Sequence, residues 1–175
     1  MVRYINENLL KGYKFIIAPH QIDAHRIEQL KIKFIVQATL FSELSETNFA
    51  ATEVLLIDNI GILSSLYSYG DMAYIGGGFN AGVHNVLEAA VHSMPILFGP
   101  HYFKSLEAIE LKNNFAAFPV SNYQEFKNTL NDLTEGDQRR YMYASLRSKQ
   151  YGKAHLGGAE VVSDYINHVF LIKPK

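Results

Sequence analysis

The chain has 175 residues, with 16 Lys and Arg against 17 Asp and Glu, and it contains no cysteine. The balanced charge, with no block of one sign, gives no reason to expect a nucleic-acid partner. The absent cysteines exclude disulfides, thiolate nucleophiles and cysteine-based zinc sites. A hydrophobic fraction of 48% supplies a normal core, yet no apolar run approaches the ~18 residues that cross a bilayer. Residues 1–14 lack the apolar stretch of a signal peptide.

In chain order, residues 13–18 (YKFIIA) read as a strand stopped by Pro19, and 25–31 as a short helix. Residues 33–37 (KFIVQ) and 54–58 (VLLID) read as the second and third strands, followed by a helix over 62–69. The fourth strand, 72–76 (MAYIG), leads to a helix over 85–93, and the fifth, 95–98 (PILF), to a helix over 105–113. Residues 116–120 (AAFPV) are a sixth strand, and helices over 123–133, 137–151 and 158–170 close the chain; 39–53 is the least readable stretch. The strands are continuous apolar runs, as expected when both sheet faces are covered. Strand and helix alternate with short connections, which predicts an α/β, Rossmann-like parallel sheet with helices on both faces. Ligands of such sheets bind beyond the C-terminal strand ends. The places to search are therefore 19–20, 58–63, 76–88 and 99–105.

The richest of these is 75–88 (IGGGFNAGVHNVLE). Three glycines after a strand let the backbone turn tightly and approach a ligand closely. A helix expected to start near His84 or Asn85 would turn free N–H groups and the positive end of its dipole toward an anion. Asn85 and Glu88 lie three apart on one helical face, and His84 is beside them. A carboxylate there can accept from both hydroxyls of a ribose, and the amide can reach phosphate or sugar. Two plainer readings stay open: Asn-x-x-Glu also matches a capping box, and glycines after a strand can be a tight turn alone. Gly76-x-Gly78-x-x-Ala81 fits a loose dinucleotide fingerprint. It follows the fourth strand, however, and the next strand ends without the ribose-binding acid that the motif demands.

The blocks 54–61 (VLLIDNIG), 69–78 (YGDMAYIGGG), 82–90 (GVHNVLEAA) and 95–101 (PILFGPH), taken in order, resemble the C-terminal domain of 3-deoxy-D-manno-octulosonic acid (Kdo) transferases. These are glycosyltransferases of the GT-B type. The resemblance runs from about residue 13 to 120 and implies that residues 1–175 form one GT-B C-terminal nucleotide-sugar-binding domain. It implies transfer of Kdo from CMP-Kdo to a lipid A precursor in lipopolysaccharide biosynthesis, at the cytoplasmic face of the bacterial inner membrane. By position, Pro19 and His20 should border the cytosine, with Gly61 on the other side. Gly77 and Gly78 should lie against the donor, Asn85 should reach phosphate or sugar with His84 beside it, and Glu88 should reach the ribose. The family usually has Pro-Arg where this chain has Pro19-His20, and often Gly-Glu-Leu where it has Gly61-Ile62-Leu63. The family's general base and acceptor site belong to an N-terminal domain, so the chain is expected to hold the donor without turnover. No cofactor and no metal are expected; the donor itself is the ligand.

Among the remaining residues, His101 and Tyr102 are candidates to flank the sugar carboxylate, or else pack their loop. Asp58 is read as capping a turn and Asp71 as structural. His92, His155 and His168 are read as surface residues. Arg139, Arg140 and Arg147 are assigned to a solvated helix face, with contact to a membrane phosphate as an alternative. Val161, Val162, Tyr165, Ile166, Val169 and Phe170 form an apolar face on the last helix that either packs on its own sheet or promotes dimers. A different nucleotide sugar, such as a UDP-linked donor, and a non-enzymatic interaction domain are the competing functions.

Overall fold

The computed structural model describes residues 1–168. They divide into two compact units, the first residues 1–66 and the second beginning at Tyr67. Each unit holds one three-stranded parallel sheet, with strand orders β1-β3-β2 and β4-β5-β6.

In the first unit, α1 (Val2–Asn8) leads through a 3₁₀ turn to β1 (Phe15–Ile17). Helix α2 (Ala24–Lys31) begins where the Asp23 carboxylate accepts from the backbone N–H of Arg26 at 3.1 Å, the usual N-cap device. Then come β2 (Thr39–Leu40), the central β3 (Val54–Leu56) and α3 (Leu63–Leu66). Strand pairing sets Phe15 opposite Val54 and Ile17 opposite Leu56, with Leu40 beside Leu56. Ile17, Val54 and Leu56 pack with Ile5 of α1, Leu9 of the 3₁₀ turn after it, and Phe34 and Ala38. The alternate positions are open: Ile16 is 41% exposed, and Leu55 is half-buried.

The second strand is displaced from its expected place. Residues 33–37 form no strand, and pairing with β3 begins at Thr39. In that stretch Phe34 is buried while Ile35 is 78% exposed. Phe34 donates its N–H to the Lys31 carbonyl at 3.1 Å, and Ile35 donates its own to the Asn6 side chain at 3.1 Å. The apolar run therefore serves as the turn after α2, with its backbone groups satisfied locally. The N-terminal helix α1 lies in a stretch whose sequence had suggested no element.

In the second unit, β4 (Ala73–Ile75), α4 (Leu87–Val91), β5 (Ile96–Phe98), α5 (Leu106–Asn113) and β6 (Ala117–Pro119) alternate. Helices α6 (Tyr123–Thr134), α7 (Gln138–Ala154) and α8 (Gly158–Ile166) follow. Ala73, Ile75, Ile96, Phe98 and Ala117 pack with Ala89 and Ala90 of α4, Ala108 and Leu111 of α5 and Tyr151 of α7. On the other face Tyr74 meets Phe126 of α6 edge-on, with ring centroids 5.3 Å apart. Helices thus cover both faces, and all three residues of β5 are fully buried, which explains their unbroken apolar run. Ser148 of α7 is buried and donates its hydroxyl to the Met94 carbonyl at 2.6 Å. Val162, Tyr165 and Ile166 of α8 are exposed; Val169 and Phe170, the end of the expected apolar face, lie outside the described residues. No described helix is long and apolar enough to cross a membrane.

Candidate functional site

In the first unit, Pro19 and His20 follow the C-terminal end of β1, as expected. With Gln21, Arg26, Gln29, Leu30 and Lys33 they line an open cleft of about 500 Å³. Sequence reasoning had not singled out Arg26, Gln29 and Lys33. The signal was present: 26, 29, 30 and 33 fall at helical spacing on one face of α2 and the turn after it. Gly61 sits on an exposed turn with φ +95°, and a Cβ there would meet nothing within 4 Å. Its left-handed backbone alone explains the glycine. Asp58 reaches across to the turn after β2, accepting from the Ser42 hydroxyl and, at 3.1 Å, from the Ser42 N–H. These bonds, the hydroxyl first, hold its carboxyl below the usual range, so it ties two strand ends together.

In the second unit the glycine segment is a loop closed on itself. The Gly77 carbonyl accepts from Asn80 N–H at 2.9 Å and Gly82 N–H at 3.3 Å, and the Gly76 carbonyl from His84 N–H at 3.0 Å. The loop is also laced to the stretch after β5: His101 N–H donates to the Gly78 carbonyl at 2.8 Å, and Val83 N–H to the His101 carbonyl at 3.1 Å. Gly77 has φ +87°, and a methyl on it would lie 2.2 Å from the Gly82 carbonyl oxygen. A methyl on Gly78 would lie 2.7 Å from Gly99 N, and one on Gly99 2.5 Å from the Gly78 carbonyl carbon. Real contacts stop well short of such distances. Turn geometry and backbone-to-backbone contact therefore already require these glycines.

Helix α4 begins at Leu87, later than the expected start near His84 or Asn85. The Asn85 side-chain Oδ1 accepts from Leu87 N–H at 3.0 Å, and its Nδ2 donates to Glu88 Oε1 at 2.7 Å. This fulfils the plainer, helix-closing reading in altered form, since the bond joins the two side chains instead of returning to the Asn85 backbone. The same bond fixes Glu88 at the sheet edge, and a carboxylate can still accept through its other oxygen. Asn85 is exposed and Glu88 half-buried. The His84 ring lies against the glycine turn, since its Nε2 would be 3.1 Å from a Cβ on Gly77. Tyr67, which the sequence had not marked, feels this carboxylate: burial first, then the charge of Glu88, raises its hydroxyl pKa.

His101 Nδ1 lies 3.2 Å from the Asn80 carbonyl, so it carries the proton and donates. Tyr102 does not reach the edge. It is 9% exposed, with its ring 5.2 Å from Phe98 and 4.4 Å from Phe103, which selects loop packing for that residue. The arginines of α7 are engaged locally: Arg139 with Asp137, Arg140 with Asp132 and above the Phe118 ring, and Arg147 with Tyr143. His92 stacks on Tyr67, and His155 on Tyr151. No group of three His, Asp or Glu among the described residues could hold a metal ion.

Parallel sheets with helices between their strands form an α/β fold of the glycosyltransferase GT-B class. The fold matches the crystal structure of the C-terminal CMP-Kdo binding domain of WaaA from Acinetobacter baumannii with a TM-score of 0.72 and 20% identity, covering 86% of this chain and 80% of that one. No family model matches the sequence, but individual relatives do. The chain is 34% identical over 122 residues to the 3-deoxy-D-manno-octulosonic acid transferase of Aquifex aeolicus, covering 69% of this chain and 33% of the relative. The same enzyme of Chlamydophila psittaci is 36% identical over 104 residues, covering 58% of the chain and 23% of the relative. A bifunctional glycosyltransferase/methyltransferase of Fusobacterium nucleatum is 32% identical over 121 residues, covering 67% of the chain and 19% of the relative. The chain is a relative of the 3-deoxy-D-manno-octulosonic acid transferases, and it spans a third or less of the length of these proteins.

Proposed function

We propose that the chain is the donor-binding half of a Kdo transferase, which moves Kdo from CMP-Kdo to a lipid A precursor in lipopolysaccharide biosynthesis. The observation that carries the reading is the Asn85–Glu88 pair. It is held at the C-terminal sheet edge in a chain related to these enzymes by sequence, with the fold of a domain described as CMP-Kdo binding. In this reading Glu88 accepts from the ribose hydroxyls, and Asn85 donates to phosphate or sugar. His84 covers the glycine turn, and Gly77 and Gly78 keep the loop close to the donor. Pro19, His20 and Gly61 border the base. The acceptor and the general base come from a further domain of the parent enzyme, which acts at the cytoplasmic face of the inner membrane. The whole reaction is an inverting attack of an acceptor hydroxyl on the anomeric carbon, with CMP leaving. The chain alone holds the donor without turnover and associates through its exposed faces.

Calorimetric titration with CMP and UMP tests this. CMP is expected to bind, and Glu88→Ala to weaken it by ~10-fold or more, the scale of one lost charge-assisted hydrogen bond pair. Preference for UMP would favour a UDP-linked donor. Absence of nucleotide binding, or affinity unchanged in Glu88→Ala and Asn85→Ala, would overturn the reading in favour of an interaction domain.

A further inference from the structure

A second recess opens beside the glycine loop. Asn80, Ala81, Gly82, His101, Phe103 and Lys104 line a cavity of about 230 Å³ between the loops that follow β4 and β5. It lies at the sheet edge where ligands of parallel folds bind. Its size falls below the ~300–1,000 Å³ of sites that enclose a drug-sized ligand. One sugar ring fits that space; a whole nucleotide sugar does not.

The recess has one sign of charge. Lys104 and His101 are its ionisable lining residues, and no carboxylate lines it. The acid nearest in sequence, Glu107, accepts from the Ser105 hydroxyl at 2.9 Å. His101 is oriented through its bond to the Asn80 carbonyl, and the loop opposite is fixed by the bonds of Gly78 and Val83 to the His101 backbone. An ammonium on a preformed wall suits an anion attached to a small polar ring, and His101, its Nδ1 proton held by Asn80, is left with Nε2 to accept from a hydroxyl of that ring. The Asn85–Glu88 pair complements it, because a carboxylate there accepts from hydroxyls and repels anions.

Resting on the donor-binding reading above, we propose that Lys104 is the subsite for the sugar carboxylate of an acidic sugar nucleotide, with His101 Nε2 accepting from a hydroxyl of the same sugar, and that Lys104 selects acidic over neutral sugars. Tyr102, considered for this role from sequence, is withdrawn into the core; Lys104 takes its place.

The test is calorimetric titration of the 175-residue chain and its Lys104→Gln variant with CMP-Kdo, CMP and free Kdo. Lys104 is exposed, so the variant keeps the fold, which a thermal melt verifies. Lys104→Gln is expected to weaken CMP-Kdo and free Kdo at least about fivefold while leaving CMP within about twofold, and Lys104→Arg to restore most of the loss. An equal loss for CMP would assign Lys104 to the phosphate and overturn the subsite. So would unchanged affinity for CMP-Kdo. Wild-type protein that binds CMP and CMP-Kdo equally also overturns it but leaves the nucleotide reading standing. Protein that binds neither overturns both.

Discussion

The two units solve the same problem to different depths. In the second, helices cover both faces of the sheet, and β5 is fully buried at Ile96, Leu97 and Phe98. In the first, the central β3 is buried at Val54 and Leu56, yet Ile16 beside it is 41% exposed, and Ile32, Ile35 and Ile60 lie 81%, 78% and 88% exposed. The site residues follow the same division. The glycine loop of the second unit is locked by backbone bonds to the β5 loop, whereas Pro19, His20 and Gly61 of the first stand on turns. The lesson is that a glycine can be required by packing in one unit and by backbone conformation in the other.

Substitutions separate these two reasons. Gly99→Ala is expected to have the largest effect, because its Cβ would fall 2.5 Å from the Gly78 carbonyl carbon and 2.6 Å from its oxygen. Backbone must move on both sides, at a cost of about 3 kcal/mol. That lowers the melting temperature by more than ~10 °C in a unit of this size. A smaller loss would show that the two loops part easily. Ser148→Ala comes next, at about 2 kcal/mol, since it strands the buried Met94 carbonyl; chemical denaturation measures it. Gly61→Ala is expected to cost only about 1 kcal/mol, because nothing crowds the new methyl and only the positive φ resists it. If Gly61→Ala costs as much as Gly99→Ala, the contrast between packing and conformation fails.

The second unit also carries a pH signature. Tyr151 is buried, and its hydroxyl donates to Glu110 at 2.6 Å. Burial first, then that bond and the negative charge of Glu110, raise its pKa above the ordinary 10.0. A raised folded-state value means the folded form keeps the proton longer. The contribution is therefore complete below about pH 10 and is lost as pH rises through the higher folded value. Denaturation between neutral pH and pH 11 should show stability falling at the alkaline end, less steeply in Tyr151→Phe. Burial also raises Tyr67, Tyr74 and Tyr141, so a residual slope stays.

Five of the six strands and the helices at 24–31, 106–113, 123–134 and 138–154 were legible in the sequence. Each shows an apolar run bounded by glycine, proline or a capping residue. The displaced second strand was not legible, because KFIVQ is apolar enough for a strand and only tertiary packing shows that Ile35 faces water. Unit division was not legible either, since strands of separate sheets look alike in sequence. Of the site, the glycine loop and the Asn85–Glu88 contact could be read from spacing. The late start of α4 could not, because Asn85 lies before the N-cap Val86 and accepts the Leu87 N–H with its side chain from outside the helix. Lys104 was hidden for a different reason. A lone lysine on a loop carries no pattern, and only the folded recess gives it company.

The smallest effect tests the shallower unit. Purely parallel sheets are normally covered on both faces, but Ile16 and Leu55 sit side by side on the open face of the first sheet, paired in register. If that face is open in solution, Ile16 contributes little, because a side chain that stays 41% exposed recovers only part of its transfer free energy. Ile16→Thr keeps β-branching and strand propensity, so it should change stability by no more than about 0.5 kcal/mol. Ile17→Thr, one residue along on the packed face at 6% exposure, should cost about 2 kcal/mol or more, since it buries an unpaired hydroxyl in place of a methylene-rich side chain. Equal losses at the two positions, measured by the same denaturation experiment, would mean that the face carrying Ile16 is covered in solution, and the difference in depth between the two units would disappear.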